Sequence, residues 1–256
     1  LTVAVIFGLI FSIASAFPTG HHHAKQVAET QPKKFAAIEG LYETQDGAPM
    51  AVFGVPTDRP PELKAPIEIP NLLSWLAFGD MNATVRGIKD FPEDERPPLF
   101  LTFASFHTMV GLGTMFIGGM FLAVFWLRGG KLFTKKWMLW ALVLAVPFPL
   151  LACQFGWITA EVGRQPWIVY PTERYAQPGP YEPIPADMPV AEVLEKHKGM
   201  RVADANSITV SAGEILTSTI LFSLIYIALG ALYLYLLFRK IKHGPLPLEA
   251  PAAGGA

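Results

Sequence analysis

Apolar and polar positions alternate along this chain in long blocks rather than in short periods. Apolar blocks fall at residues 1–17, 99–127, 137–160 and 215–238. The second is uncharged apart from any charge on His107, the third is uncharged until Glu161, and the fourth carries no charge. A helix needs about 20 predominantly apolar residues to cross a bilayer, so the last three blocks predict membrane helices. The first is shorter. Its tail Ala14-Ser15-Ala16 would suit a signal peptide, but it has neither a basic n-region nor an initiator Met. It reads instead as a truncated or late-starting span. The pattern predicts an all-α fold, a transmembrane helical bundle of four spans with two large outer-side loops.

Basic residues set the expected orientation. Arg128, Lys131, Lys135 and Lys136 lie between the second and third spans, and Arg239, Lys240 and Lys242 follow the fourth. Both clusters belong on the cytoplasmic side by the positive-inside rule, and the two agree in parity, since two spans separate them. The expected organisation is a span at 1–17, an outer loop at 18–98, and spans at 99–127 and 137–162. An outer loop at 163–213, a span at 214–238 and a cytoplasmic tail at 239–256 follow. The loop at 18–98 is too long to be a mere connector. A short helix is expected in it from Pro32 to Thr44, beginning at a proline and carrying Lys34 and Glu39. In the second loop, an irregular strap is expected from Pro178 to Pro189 and a short helix from Val190 to His197.

Composition narrows the classes further. Hydrophobic residues make up 52% and charged residues 16% of the 256, a membrane protein's balance. The net charge of −1 supplies no basic footprint for nucleic acid. A single cysteine, Cys153, excludes an internal disulfide framework and a cysteine-held cluster; in its apolar run it reads as an inert core thiol. The chain shows no internal repeat and no glycine-rich phosphate loop, and Gly111, Gly113, Gly118 and Gly119 suit close helix packing.

The candidate chemistry lies at span ends and within spans. Glu161 and Arg164 are three residues apart, hence on one helical face, and Trp157 is one turn earlier on that face. Ionisable groups at membrane depth are costly and are kept where they pair or serve function. Glu161 could therefore be a haem ligand, a proton-relay acid or half of a structural pair with Arg164. Met109 could ligate haem iron through its thioether, or simply fill a gap in packing. His107 either binds metal or hydrogen-bonds. Two positions from Met109, it faces elsewhere and cannot share one metal with it on a regular helix. His21, His22 and His23 resemble a metal-binding tract, with a solvated polar cluster as the default.

Three stretches carry a family resemblance, in matching order. Gly156-Trp157, Glu161 and Gly163-Arg164-Gln165-Pro166-Trp167 resemble a motif of subunit I of the cytochrome bd quinol oxidases. Gln31-Pro32-Lys33-Lys34-Phe35-Ala36-Ala37-Ile38-Glu39 resembles that family's quinol-binding loop, and Phe106-His107-Thr108-Met109-Val110-Gly111-Leu112-Gly113 its low-spin haem helix. The resemblance implies the carboxy-terminal half of the catalytic subunit of a quinol:oxygen oxidoreductase in a bacterial or archaeal cytoplasmic membrane. Lys34 and Glu39 would shape the quinol site and Met109 would be an axial ligand of a low-spin haem b. Glu161 would ligate a high-spin haem b, with Arg164 near haem propionates, and Trp157 would lie between that haem and a haem d. Oxygen would be reduced to water and a proton gradient generated without pumping.

The implied partners are the amino-terminal half of subunit I, subunit II, a small accessory subunit, membrane lipid and quinol. The sequence also departs from the family. The amino-terminal half, with the histidine partner of Met109 and the haem d ligand, is not in this sequence. His107 stands where the family usually has Arg or Lys, so a haem propionate facing it would meet a pH-dependent charge. Gln154 replaces an acid of some relatives. The compact first loop resembles the short-loop branch, while the segment at 163–213 is longer than the resemblance accounts for. The rival expectation is a haem-free membrane scaffold, which would have no need of Met109, Trp157, Glu161 and Arg164 together.

Overall fold

The computed structural model describes residues 1–58, 60–170, 189, 200–205 and 209–244. It divides into two units, Leu1–Ala205 and Asn206–Ala256. Four helical stretches are long and apolar enough to cross a membrane: Thr2–Thr30, Leu99–Thr134, Lys136–Val162 and Ala212–His243. The four expected membrane-crossing helices are therefore present, and among the described residues the strands lie in the connecting segments.

The first span differs from its expectation at one end. Helix α1 (Thr2–Ala14) does not stop near Phe17. It passes through a π-helical stretch, Ser15–Gly20, into α2 (His21–Thr30). Pro18 sits inside the π stretch. A proline lacks the N–H that the α-helical ladder needs, and a π-type widening lets the helix continue around it. Residues 18–30, expected in the loop, thus extend the first helix, and His21, His22 and His23 are exposed on it. Among the described residues no group of three His, Cys, Asp or Glu side chains could hold a metal ion.

The long first connection is an ordered cap of short helices and paired strands. Helix α3 (Pro32–Glu39) starts with proline at its first turn, where a missing N–H costs nothing. It ends five residues earlier than expected. Gly40 takes a left-handed φ of 64° as C-cap, and a Cβ there would lie 2.9 Å from the Phe103 ring. Six of the eight α3 residues are buried. One face packs with Ala28, Leu41, Leu73, Ala77 and Val85, and another with Tyr42, Ile88, Phe91 and Leu99. Around it run β1 (Gln45–Asp46), the hairpin β2 (Met50–Asp58) and β3 (Pro61–Ile69), α4 (Leu72–Phe78) and β4 (Thr84–Val85). β1 pairs antiparallel with β4, and β2 with β3, from Met50 opposite Ile69 to Asp58 opposite Pro61. Ser74 ties the cap internally: its Oγ accepts from the Ala48 N–H at 2.7 Å and donates to the Ala83 carbonyl at 2.7 Å.

Helix α5 (Leu99–Leu127) is one uninterrupted rod. At its far end Gly129 and Gly130 turn the chain with positive φ into α6 (Lys136–Leu144). The third span, expected as one helix, breaks between α6 and α7 (Phe148–Val162). Pro147 and Pro149 explain the break, since each removes a backbone donor and clashes with the preceding turn. Val5, Met120, Ala123, Leu132 and Met138 form a small core near this basic turn. Beyond α7, β5 (Trp167–Val169) pairs antiparallel with β6 (Met200–Arg201). The expected strap Pro178–Pro189, apart from Pro189, and the expected helix Val190–His197 lie outside the described residues.

The second unit holds helix α8 (Ala212–His243), starting two residues before the expected span and running past Phe238. Ser211 and Glu214 form a capping box: the Glu214 N–H donates to Ser211 Oγ at 3.3 Å and the Ser211 N–H to Glu214 Oε2 at 2.8 Å. Lys240, Lys242 and His243 occupy the last turn, where cations complement the helix dipole.

Candidate functional site

A seam of small residues joins α5 to α7 and places the first candidate ligand. Ser105 Oγ and Thr159 Oγ1 are 2.8 Å apart in a buried contact between the helices. Gly163 continues the seam: a Cβ there would lie 3.2 Å from Thr102 and 3.1 Å from the Lys34 side chain. At its other end a Cβ on Gly156 would lie 2.8 Å from Met109 Sδ. Thr102, Ser105 and Met109 thus share one face of α5, and Gly156, Thr159 and Gly163 the face of α7 against it. The thioether of Met109 rests on α7, half-buried.

Glu161 belongs to a different face of α7 from Gly156. Five residues separate them, about 7.5 Å along the axis. The Arg164 Nη2 donates to Glu161 Oε2, although α7 ends at Val162 and Arg164 lies in the turn beyond it. Both side chains are 39% exposed. Gln165 Nε2 donates to the Glu161 carbonyl at 3.3 Å, closing the same turn. Trp157 is exposed on the Glu161 side. The contact between acid and base, one of the three readings open for Glu161, is formed in this structure. It leaves one polar atom over: Arg164 Nε is buried and has no partner among the described residues.

The α3 residues meet this turn from above. Lys34 Nζ donates to the Ala160 carbonyl at 3.4 Å, one residue before Glu161. Burial holds the Lys34 ammonium below the ordinary lysine range, Arg164 adds to that depression, and Glu161 opposes it. Glu39 is buried, and that burial pushes its carboxyl up to about 8. Five positions apart on one helix, Lys34 and Glu39 point in different directions. The structure brings Lys34 to Glu161 and Arg164 but does not bring Glu39 to Lys34. A half-open cleft of about 300 Å³ beside α3, lined by Ala28, Pro32, Phe35, Phe78, Val85 and Arg86 among others, includes neither.

His107 takes the hydrogen-bonding alternative. Its ring stacks on Phe103 with centroids 3.8 Å apart. Nδ1 is 3.0 Å from the Phe103 carbonyl oxygen and Nε2 is 2.8 Å from that of Ala51. The ring therefore fastens strand β2 to α5 two residues before Met109.

One group was not anticipated. Lys33 Nζ donates to Glu95 Oε2, and Arg201 Nη2 donates to Asp94 Oδ2 at 2.9 Å. Trp167, the last residue of the α7 motif, is buried beside them. The only local signal was a pair of lysines after Pro32 and an acidic run at Glu93-Asp94-Glu95, and nothing local connects the two.

Comparison with known proteins assigns the family. A family model described as cytochrome bd terminal oxidase subunit I matches residues 1–245. The cytochrome bd ubiquinol oxidase subunit 1 of Bacillus subtilis is 33% identical over 256 residues, covering 94% of this chain and 48% of that protein. The cytochrome bd-II ubiquinol oxidase subunit 1 of Escherichia coli is 24% identical, covering 65% and 45%. The solved bd oxidase of Geobacillus thermodenitrificans superposes with a TM-score of 0.72 at 34% identity, covering 96% of this chain and 49% of that one. Fold and apolar helices define a multi-pass membrane protein. The chain belongs to the cytochrome bd terminal oxidase subunit I family and spans about half the length of the relatives it matches.

That family implies haem, and the residues fit such a group. Met109 offers a soft thioether in an apolar wall. Glu161 offers a half-exposed carboxylate at a helix end. The buried Arg164 Nε, unmatched among the described residues, is a donor of the kind a propionate accepts from.

Proposed function

We propose that this chain supplies the carboxy-terminal half of the catalytic subunit of a bd-type quinol:oxygen oxidoreductase, working with the amino-terminal half, subunit II and a small accessory subunit. One observation carries the reading: Lys34, from the loop resembling the quinol site, hydrogen-bonds to the turn that holds Glu161 and Arg164. The two halves of the proposed chemistry share a wall.

Met109 would hold the low-spin haem b, and Glu161 the high-spin haem b, with Arg164 donating to propionates. Trp157 would face haem d. When bound, these groups supply one-electron transfer and the reduction of oxygen to water. The chain's own residues do the rest. Lys34 Nζ orients the quinol by donating to a ring oxygen. Glu39, whose carboxyl burial pushes up to about 8, holds a proton at neutral pH and relays a quinol proton by first releasing its own. Each quinol gives up two electrons and two protons. Release of those protons on the outer side, with protons for water drawn from the inner side, separates charge without a pump.

The test is a reduced-minus-oxidised absorption spectrum of the purified complex containing this chain. Bands of low-spin b, high-spin b and d haem are expected. A spectrum without haem bands would sink the reading and leave a membrane scaffold.

A further inference from the structure

Lys33 is buried at the first turn of α3, only 4% exposed. Its ammonium donates to Glu95 and lies 5.3 Å from the Trp167 ring centroid, 5.5 Å from that of Tyr170 and 5.9 Å from that of Phe91. These are cation–π distances. On the other side of the same carboxyl group, Arg201 Nη2 stands 3.6 Å from Glu95 Oε1 and binds Asp94. The Arg201 guanidinium carbon is 5.1 Å from the Trp167 centroid. One carboxylate thus serves two cations, and one indole lies within reach of both. Strand pairing sets Arg201 opposite Trp167.

These residues come from four places in the chain: α3, the turn before α5, the end of the α7 motif, and the returning end of the second long segment. We infer that they form a clasp fixing the rotation and depth of α3, and that Lys33 is thereby a positioning residue for the quinol substrate. The inference rests on the proposed quinol role of Lys34 and Glu39. An apolar contact would let so short a helix roll, whereas a hydrogen-bonded ion pair sets one register. Lys34 follows Lys33 by about 100° around the axis, so a roll at Lys33 carries Lys34 off the Ala160 carbonyl and Glu39 out of its enclosure. The clasp also gives part of the segment at 163–213 a role, because Arg201, toward its far end, closes the ring of charges around Glu95.

The experiment uses the complete oxidase carrying Lys33→Met, Lys33→Arg, Glu95→Gln or Lys34→Ala. For each, KM and kcat for quinol are measured beside oxygen reduction from an artificial electron donor, together with the haem spectrum. Lys33→Met should raise the quinol KM by about tenfold or more, as a displaced binding group does. The artificial-donor rate and spectrum should stay unchanged, and Lys33→Arg should return most of the affinity. A normal quinol KM in Lys33→Met overturns the inference, and so does equal loss with both donors, which would mark a purely structural pair. If Lys33→Met does not assemble, Glu95→Gln is judged by the same two outcomes. A normal quinol KM in Lys34→Ala overturns the quinol reading itself and the positioning role with it. A Lys34→Ala defect beside a normal Lys33→Met overturns the clasp alone.

Discussion

Glu39 and Glu161 are acids at the ends of two different helices, α3 and α7, and their surroundings divide them. Glu161 shares its charge with Arg164. Glu39 is enclosed, and burial raises its carboxyl to about 8. The linkage has a definite sign. Between about pH 4.5 and about pH 8 the folded chain keeps a proton that the unfolded chain has released, so stability falls as pH rises through that window, by up to about 1.4 kcal/mol per pH unit. Glu39→Gln should flatten the fall; thermal midpoints of the assembled oxidase across that window would show it, and parallel curves for both proteins would refute it. Met109 is tested differently. Met109→Leu nearly conserves volume but replaces a thioether with a group that cannot bind iron. It should abolish the low-spin haem absorption and leave the helix content by circular dichroism unchanged. An intact low-spin band would remove Met109 from the ligand set.

Several elements meet where a glycine lets the backbone approach a neighbour closely, and the approach at Gly156 can be perturbed gently. On Gly156 an added Cβ would meet only the far end of Met109, at 2.8 Å from Sδ. That end is flexible, so Gly156→Ala should cost little stability, on the order of 1 kcal/mol, while pushing the sulfur away from α7. The expected result is a shifted low-spin haem potential with a nearly unchanged thermal midpoint; a large fall in midpoint with an unshifted potential would mean the seam, not the sulfur, bears the strain. Element by element, the four spans were legible because hydropathy over about 20 residues records the bilayer directly. Hydropathy does not record backbone donors, so the break at Pro147–Pro149 and the helical run from Ala14 through Pro18 to Thr30 were not visible in it. The β2–β3 hairpin was hidden too. Its strands include Pro56, Pro61 and Pro66, which read as irregular chain, and the fold holds them by packing and by the His107 bond to Ala51.

At the scale of the whole molecule, local spacing revealed the Glu161–Arg164 pair, and the resemblance pointed to Lys34, Glu39 and Met109. The Lys33–Glu95 pair spans 62 residues and the Arg201–Asp94 pair 107; no periodicity encodes such partners, because they are set by how the segments pack. The same limit governs orientation, which rests on charge counts alone. Arg128, Lys131, Lys135 and Lys136 crowd the turn between α5 and α6, at the opposite end of α5 from α3. The positive-inside rule predicts that this turn faces the cytoplasm and the α3 cap faces out. The prediction is checked with a Cys153→Ser background, which removes the one cysteine of this chain, and one new cysteine at a time. Glu62→Cys, on the exposed surface of β3, should react with a membrane-impermeant maleimide in intact cells. Lys131→Cys should react only after the membrane is opened, and three bases remain in its turn to keep the orientation. The reverse pattern would turn the molecule over. Lys34 and Glu39 would then meet quinol on the cytoplasmic side, its protons would be released where water formation consumes them, and the proposed charge separation would vanish even with every haem in place.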